Sequence, residues 1–171
     1  NGRIDIYVLV MKKSWFLPLF FLFTLCVTSV YSQSGTASWT QLGADIDGDR
    51  TGDESGYSVS YSADGTKVAI GAHANDGNGS SSGHVRIYNY TPSGTASWTQ
   101  LGADIDGEAF GNYSGHSVSL SADGTKVAIG AYGNSDNGSG SGHVRIYNYT
   151  PSGTASWTQL GADIDGEASG D

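Results

Sequence analysis

An all-β fold built from repeated four-stranded units is what this sequence predicts, and three observations predict it. The fifteen residues SGTASWTQLGADIDG stand at 34–48, 93–107 and 152–166 without a change, each copy starting 59 residues after the last. Aligning 34–92 with 93–151 needs no gap, and 47 of 59 positions agree. Within each unit, short alternating runs of Val, Ile, Tyr and Ser are separated by Gly, Asp and Asn, and no stretch carries a helical period.

The elements follow in order. YSVSYS (57–62) is a strand with Val59 and Tyr61 on one side and Ser58 and Ser60 on the other. SADGT (62–66) supplies an Asp-Gly turn of the hairpin type. KVAIGA (67–72) sets Val68 and Ile70 against Ala69 and Gly71. After the glycine-rich loop NDGNGSSSG (75–83), HVRIYNY (84–90) opposes Val85 and Ile87 to Arg86, Tyr88 and Tyr90. TPSGTAS (91–97) then turns the chain into a fourth strand, WTQLGADI (98–105).

Such a sheet has one bulky, branched face and one small face of Ser, Ala and Gly. Like sheets stack bulky side on small side, and radial stacking of that kind is a β-propeller. The predicted fold is therefore four-stranded antiparallel blades of a β-propeller, incomplete in this chain, with an open β-solenoid-like stack as the alternative. Trp39, Trp98 and Trp157, one per copy of the repeated text, are predicted to cover the seams between blades.

The 171 residues divide unevenly. From Met11 the text MKKSWFLPLFFLFTLCVTSVYSQ has a basic start, an apolar run and small residues at Val30 and Ser32 before Gln33, the layout of a secretory signal peptide. The expected organisation is upstream translation at 1–10, a signal peptide at 11–32, and blade repeats at 33–171, with units 34–92 and 93–151 and a partial unit 152–171. The part after the leader has no cysteine, since Cys26 is the only one, so packing or metal must hold it. Sixteen acidic residues remain there (all seventeen but Asp5) against five basic ones (the eight less Arg3, Lys12 and Lys13), a net charge of −11. That surface repels nucleic acid and anionic lipid, and favours divalent cations and basic partners.

GNYSGHSVSLSADGTKVAIGA (111–131) followed by GSGSGHVRIYNY (138–149) resembles the FG-GAP repeat, the blade motif of integrin α-subunit propellers, in the variant of exported bacterial surface proteins. Where that family has Phe-Gly before the first strand, this chain has Ser55-Gly56 and Ser114-Gly115. Where it has Gly-Ala-Pro after the second, this chain has Gly71-Ala72-His73 and Gly130-Ala131-Tyr132. The resemblance implies a propeller blade and names no ligand. It also implies a calcium loop between the first two strands, but SADGT keeps only Asp64 and Asp123 there.

Other carboxylates gather in DIDGD (45–49) and DIDGE (104–108), which makes Asp45, Asp47, Asp49, Asp104, Asp106 and Glu108 the candidate metal ligands. The competing reading of the same text is a turn at Asp47-Gly48. No cofactor is required, and Ca2+ is the cation to test. His84 and His143, one per unit, are read as packing or surface residues. No nucleophile elbow or phosphate loop occurs, so the chain is expected not to be an enzyme.

The twelve differences between the two full units are clustered: five fall in 49–54, five in 73–81, and the others are Tyr57 against His116 and Tyr61 against Leu120. In a four-stranded blade those two segments open on one rim, and the unchanging turns open on the other. The variable rim is accordingly predicted to bind ligand through Asp53, Glu54, His73, Asp76, Tyr113, Tyr132 and Asp136. The expected function is a secreted or cell-surface adhesion module whose partner is an extracellular glycan or protein, with no nucleic acid and no membrane span after signal cleavage. The alternatives are a structural spacer and a non-catalytic part of a larger exported enzyme.

Overall fold

A computed structural model describes residues 38–92, 97–151 and 156–171, and the architecture below concerns Trp39–Asp171. The expected signal peptide at 11–32 and the expected upstream translation at 1–10 lie outside the described residues. Ten strands follow in chain order: β1 (Ser58–Tyr61), β2 (Lys67–Ala72), β3 (His84–Thr91), β4 (Ser97–Gln100), β5 (Ile105–Asp106), β6 (Ser117–Leu120), β7 (Lys126–Ala131), β8 (His143–Thr150), β9 (Ser156–Gln159) and β10 (Ile164–Asp165). They form two antiparallel sheets, β1-β2-β3-β4 and β6-β7-β8-β9, with β5 pairing β3 and β10 pairing β8. Each sheet is thus a four-stranded blade whose outer strand is split. No helix among the described residues is long and apolar enough to cross a membrane.

The split corrects the predicted continuous strand 98–105. Gly102 adopts φ 80°, a left-handed conformation that ends one ladder and re-aims the chain before Ile105 resumes pairing with Val85. The first turn also differs from a two-residue hairpin. Ser62 N–H bonds the Lys67 carbonyl at 3.0 Å, leaving a four-residue loop in which only Gly65 is left-handed. Asp64 closes this loop, its Oδ1 accepting from Ser62 Oγ (2.6 Å), Thr66 N–H (3.0 Å) and Thr66 Oγ1 (2.8 Å). Those donors hold its carboxyl at about 2, below the usual 3.8.

Register decides which residues share a face. Ala69 pairs with Ile87 and Gly71 with Val85, so the inner strands put bulk beside smallness on one face. Val68 pairs with Tyr88 and Ile70 with Arg86 on the other. The first blade's Ala69, Val85, Ile87 and Ile105 then pack on the second blade's Leu120, Val127, Ile129 and Tyr147, with Leu101, Val118 and Trp157 at the margin. This seam is the main core of the molecule.

Backbones nearly touch across it. A Cβ on Gly71 would run into the Gly115 carbonyl, so the segment leading into β6 lies directly on β2 there. Ser58 Oγ donates to the Gly115 carbonyl at 2.7 Å, and Ser60 Oγ accepts from Leu120 N–H at 2.9 Å. The tryptophans complete the joint: Trp157 Nε1 donates to the Leu101 carbonyl and Trp98 Nε1 to the Leu42 carbonyl, each at 2.7 Å. Trp39 departs from the prediction. At 103% exposure it covers no seam, because no described segment stands to it as Leu42 stands to Trp98.

Candidate functional site: an aromatic and histidine rim

The segments that differ between units are brought to one edge. The crossing between the blades lies along the β2–β3 loop, with Gly111 N–H on the Ser80 carbonyl (3.0 Å), Tyr113 N–H on Ser81 (3.0 Å) and Ser114 N–H on Ser82 (2.9 Å). Asn78 Nδ2 pins the same loop to the Gly107 carbonyl at 2.9 Å. The unchanging SADGT turns meet at the other edge, where Ala63 N–H donates to the Ala122 carbonyl at 2.8 Å.

Three repeat positions supply the rim's side chains, and each position contributes from both blades: 54 with 113, 57 with 116, 73 with 132. Tyr57 sits 4.1 Å from His73 and 5.0 Å from His116 between ring centroids, and its hydroxyl lies 3.2 Å from His116 Nε2. Tyr113 stacks on Tyr132 at 5.0 Å and 10°, while His116 meets Tyr132 edge-on at 4.7 Å. Glu54 Oε2 lies 3.6 Å from His73 Nε2. Glu54 and Tyr113 occupy the same repeat position and both have φ 55°, a conformation uncommon for a bulky residue. Tyr57 and Tyr132 remain half exposed.

Burial governs the acid–base state of the rim. Desolvation lowers the His73 pKa from 6.5, opposed by the Glu54 carboxylate and reinforced by His116. Burial likewise raises the Tyr132 hydroxyl, assisted by Tyr113 and Tyr57. The surface is therefore aromatic, carries one carboxylate at Glu54, and is rich in hydrogen-bonding nitrogens and hydroxyls. It can stack on a flat apolar face and accept or donate at its edge.

Of the predicted ligand residues, Glu54, His73, Tyr113 and Tyr132 converge here. Asp53 does not face solvent: it is buried and accepts from Asn75 Nδ2 at 2.7 Å, holding the loop beneath the rim. Asp76 caps its own loop by accepting from Ser81 N–H at 2.8 Å, and Asp136 lies elsewhere, near His143. Tyr57 and His116 complete the cluster and were not among the predicted residues. Their signal was present, since they differ between otherwise matching strands.

The predicted metal ligands do not gather as consecutive DIDGD residues. Asp45 Oδ1 is held by Gln41 Nε2 (2.7 Å) and Asp104 Oδ1 by Gln100 Nε2 (2.6 Å). Asp49 pairs with Arg86 Nη1 at 2.6 Å, and the Asp47 and Asp106 carbonyls accept from Arg86 and Arg145 Nη2. Each arginine thus clamps the crossing from the preceding unit onto its own blade. The acids mix between copies instead: Asp49 groups with His84 and Asp104, and Glu108 with Asp136, His143 and Asp163. Asp45, Asp47 and Asp106 belong to neither group.

No curated protein matches the chain. Residues 44–88, running from the segment before β1 through most of β3, match the family model described as FG-GAP repeat. With its second unit agreeing at 47 of 59 positions, and with both units folded as antiparallel blades, the chain carries an FG-GAP repeat.

Proposed function

We propose that the chain is a non-catalytic recognition module that binds an extracellular glycan or protein through the rim formed by Glu54, Tyr57, His73, Tyr113, His116 and Tyr132. One observation carries this reading: three repeat positions that differ between near-identical units converge, from both blades, into one exposed cluster of rings. The left-handed backbone at Glu54 and Tyr113 supports the same reading, since strain of that kind collects at functional positions.

The ring faces favour a glycan, which stacks its apolar C–H face on tyrosine while neighbouring groups bond its hydroxyls. An exported location agrees with the leader-like text at 11–32 and with the usual setting of FG-GAP repeats in extracellular domains.

The test is a glycan array probed with the labelled full chain and with Tyr132→Ala and Tyr57→Ala. Saturable binding that falls about tenfold in both variants is the expected result, in line with about 0.5–1.5 kcal/mol for an aromatic contact beyond the area it buries. Ligand binding left unchanged by both variants would overturn the assignment and favour a spacer role.

A further inference from the structure

A second set of side chains lies off the aromatic rim, and its members come from four separate places in the chain. Glu108 stands on the crossing between blades, Asp136 in the β7–β8 loop, His143 at the start of β8, and Asp163 just before β10. One ligand atom from each lies within 4.8 Å of the others. We propose that these four residues form a binding site for a divalent cation of borderline character, the class that includes Zn2+.

His143 points to a ligand independently of the acids. Its side chain is 1% exposed, and neither ring nitrogen has a hydrogen-bond partner among the described residues. A buried imidazole left so is costly. Its Nδ1 faces Asp163 Oδ2 at 3.3 Å and Glu108 Oε2 at 3.8 Å. Those separations exceed the usual hydrogen-bond length of about 2.9 Å. The Asp163 distance suits two ligands sharing a tetrahedral cation, which at bond lengths of about 2.0–2.2 Å stand roughly 3.3–3.6 Å apart, and the Glu108 distance lies just beyond that range.

The carboxylates are oriented for this purpose. Gln159 Nε2 holds the other oxygen of Asp163 at 2.5 Å, and Arg145 Nη1 approaches the other oxygen of Glu108 at 3.4 Å. Asn134 Nδ2 donates to Asp136 Oδ2 at 3.0 Å. Each acid is thus steadied by a neighbouring donor, as outer partners steady metal ligands elsewhere. The guanidinium, on the other oxygen of Glu108, offsets part of the negative charge. An imidazole among carboxylates selects a Zn2+-like ion over Mg2+ or Ca2+. Bound there, the cation would fasten the crossing from the first blade to the second.

The first unit offers an internal control. It repeats Asp49, His84 and Asp104, with His84 Nδ1 3.6 Å from Asp104 Oδ2, but Gly77 stands where Asp136 does. Three ligands, one of them drawn to Arg86 at 2.6 Å, make that copy the weaker site.

The experiment titrates the chelator-stripped full chain with Zn2+ against a chromogenic chelator at neutral pH. One tight equivalent is expected, with a second, weaker one. Asp136→Asn, an exposed change without risk to the core, should weaken the tight site about tenfold or more, as should His143→Gln. Gly77→Asp should make the second equivalent tight, and Zn2+ should raise the melting temperature of the parent more than that of Asp136→Asn. Absence of saturable binding, or a tight site indifferent to Asp136→Asn and His143→Gln, overturns the proposal.

Discussion

The two blades share most of their sequence and yet bury it differently. Val85 is fully buried while its copy Val144 is 38% exposed, and Ile105 at 5% corresponds to Ile164 at 58%. The reverse holds on the opposite face, where Leu120 is buried at 8% and Tyr61 at the same repeat position is 58% exposed. Identical strands have no burial of their own. They acquire it from the unit stacked on that side: the first blade's small-and-branched face is covered by the second, and the second blade's own such face is an open groove of about 390 Å3 lined in part by Val144, Ile164 and Gly130.

The strongest way to break this asymmetry is to fill the seam at a glycine. A side chain at Gly71 meets the backbone of Gly115, which cannot move aside without parting the blades, whereas at Gly130 it meets the Ser117 hydroxyl of its own blade, which can rotate. Gly71→Val should cost on the order of 4 kcal/mol or abolish cooperative unfolding, and Gly130→Val far less, measured by urea denaturation. Equal effects would mean that the glycines serve their own strands and not the stacking.

A milder version empties the seam. Ile87 is fully buried between blades, and its copy Ile146 is only partly covered. Ile87→Ala should lose about 2–5 kcal/mol and Ile146→Ala about 1 kcal/mol, because a cavity forms only where both walls exist. Matching losses in chemical denaturation would show that the two blades are covered alike in solution.

How much of this was legible in the sequence follows from what each feature depends on. The strands were legible, because Val68 and Ile70 alternate with Ala69 and Gly71 within a few residues and SADGT punctuates them. The breaking of the outer strand at Gly102 was not, since a glycine in an extended run is compatible with either outcome until its φ is known. Part of the rim was readable from Glu54, His73, Tyr113 and Tyr132, where the copies diverge. Asp53 misled, because an acid that holds a buried Asn75 has the same signature in the text as one that greets a ligand. The His143 cluster was invisible: the acids closest to it come from different copies of the same motif, and only the stacking of the crossing on the next blade brings Glu108 to Asp163.

The finest test separates the two edges of the molecule by pH. At the unchanging edge, Asp64 titrates at about 2, lowered first by the Ser62 hydroxyl and then by Thr66, and Ser121 and Thr125 lower Asp123 in the same way. A folded pKa below the unfolded one means that these turns contribute in full above about pH 4 and lose their contribution as the pH falls towards 2. At the variable rim, burial lowers the His73 pKa below 6.5, so protons bind more readily to the unfolded chain and acidification weakens the fold already below about pH 6.5. Glu54 facing His73 moderates the loss and His116 deepens it. His73→Phe should therefore flatten the stability profile between about pH 6.5 and 5, while Asp64→Asn should leave that window alone and narrow its gap to the parent only below about pH 4. Both changes are small, at Asp64 because it is exposed and at His73 because Glu54 offsets part of the desolvation, and thermal melts across the pH series can read them as differences between variants. If His73→Phe left the neutral-to-mildly-acid window untouched, the imidazole would be as well solvated as a free one, and the packing of the rim rings would not hold in solution.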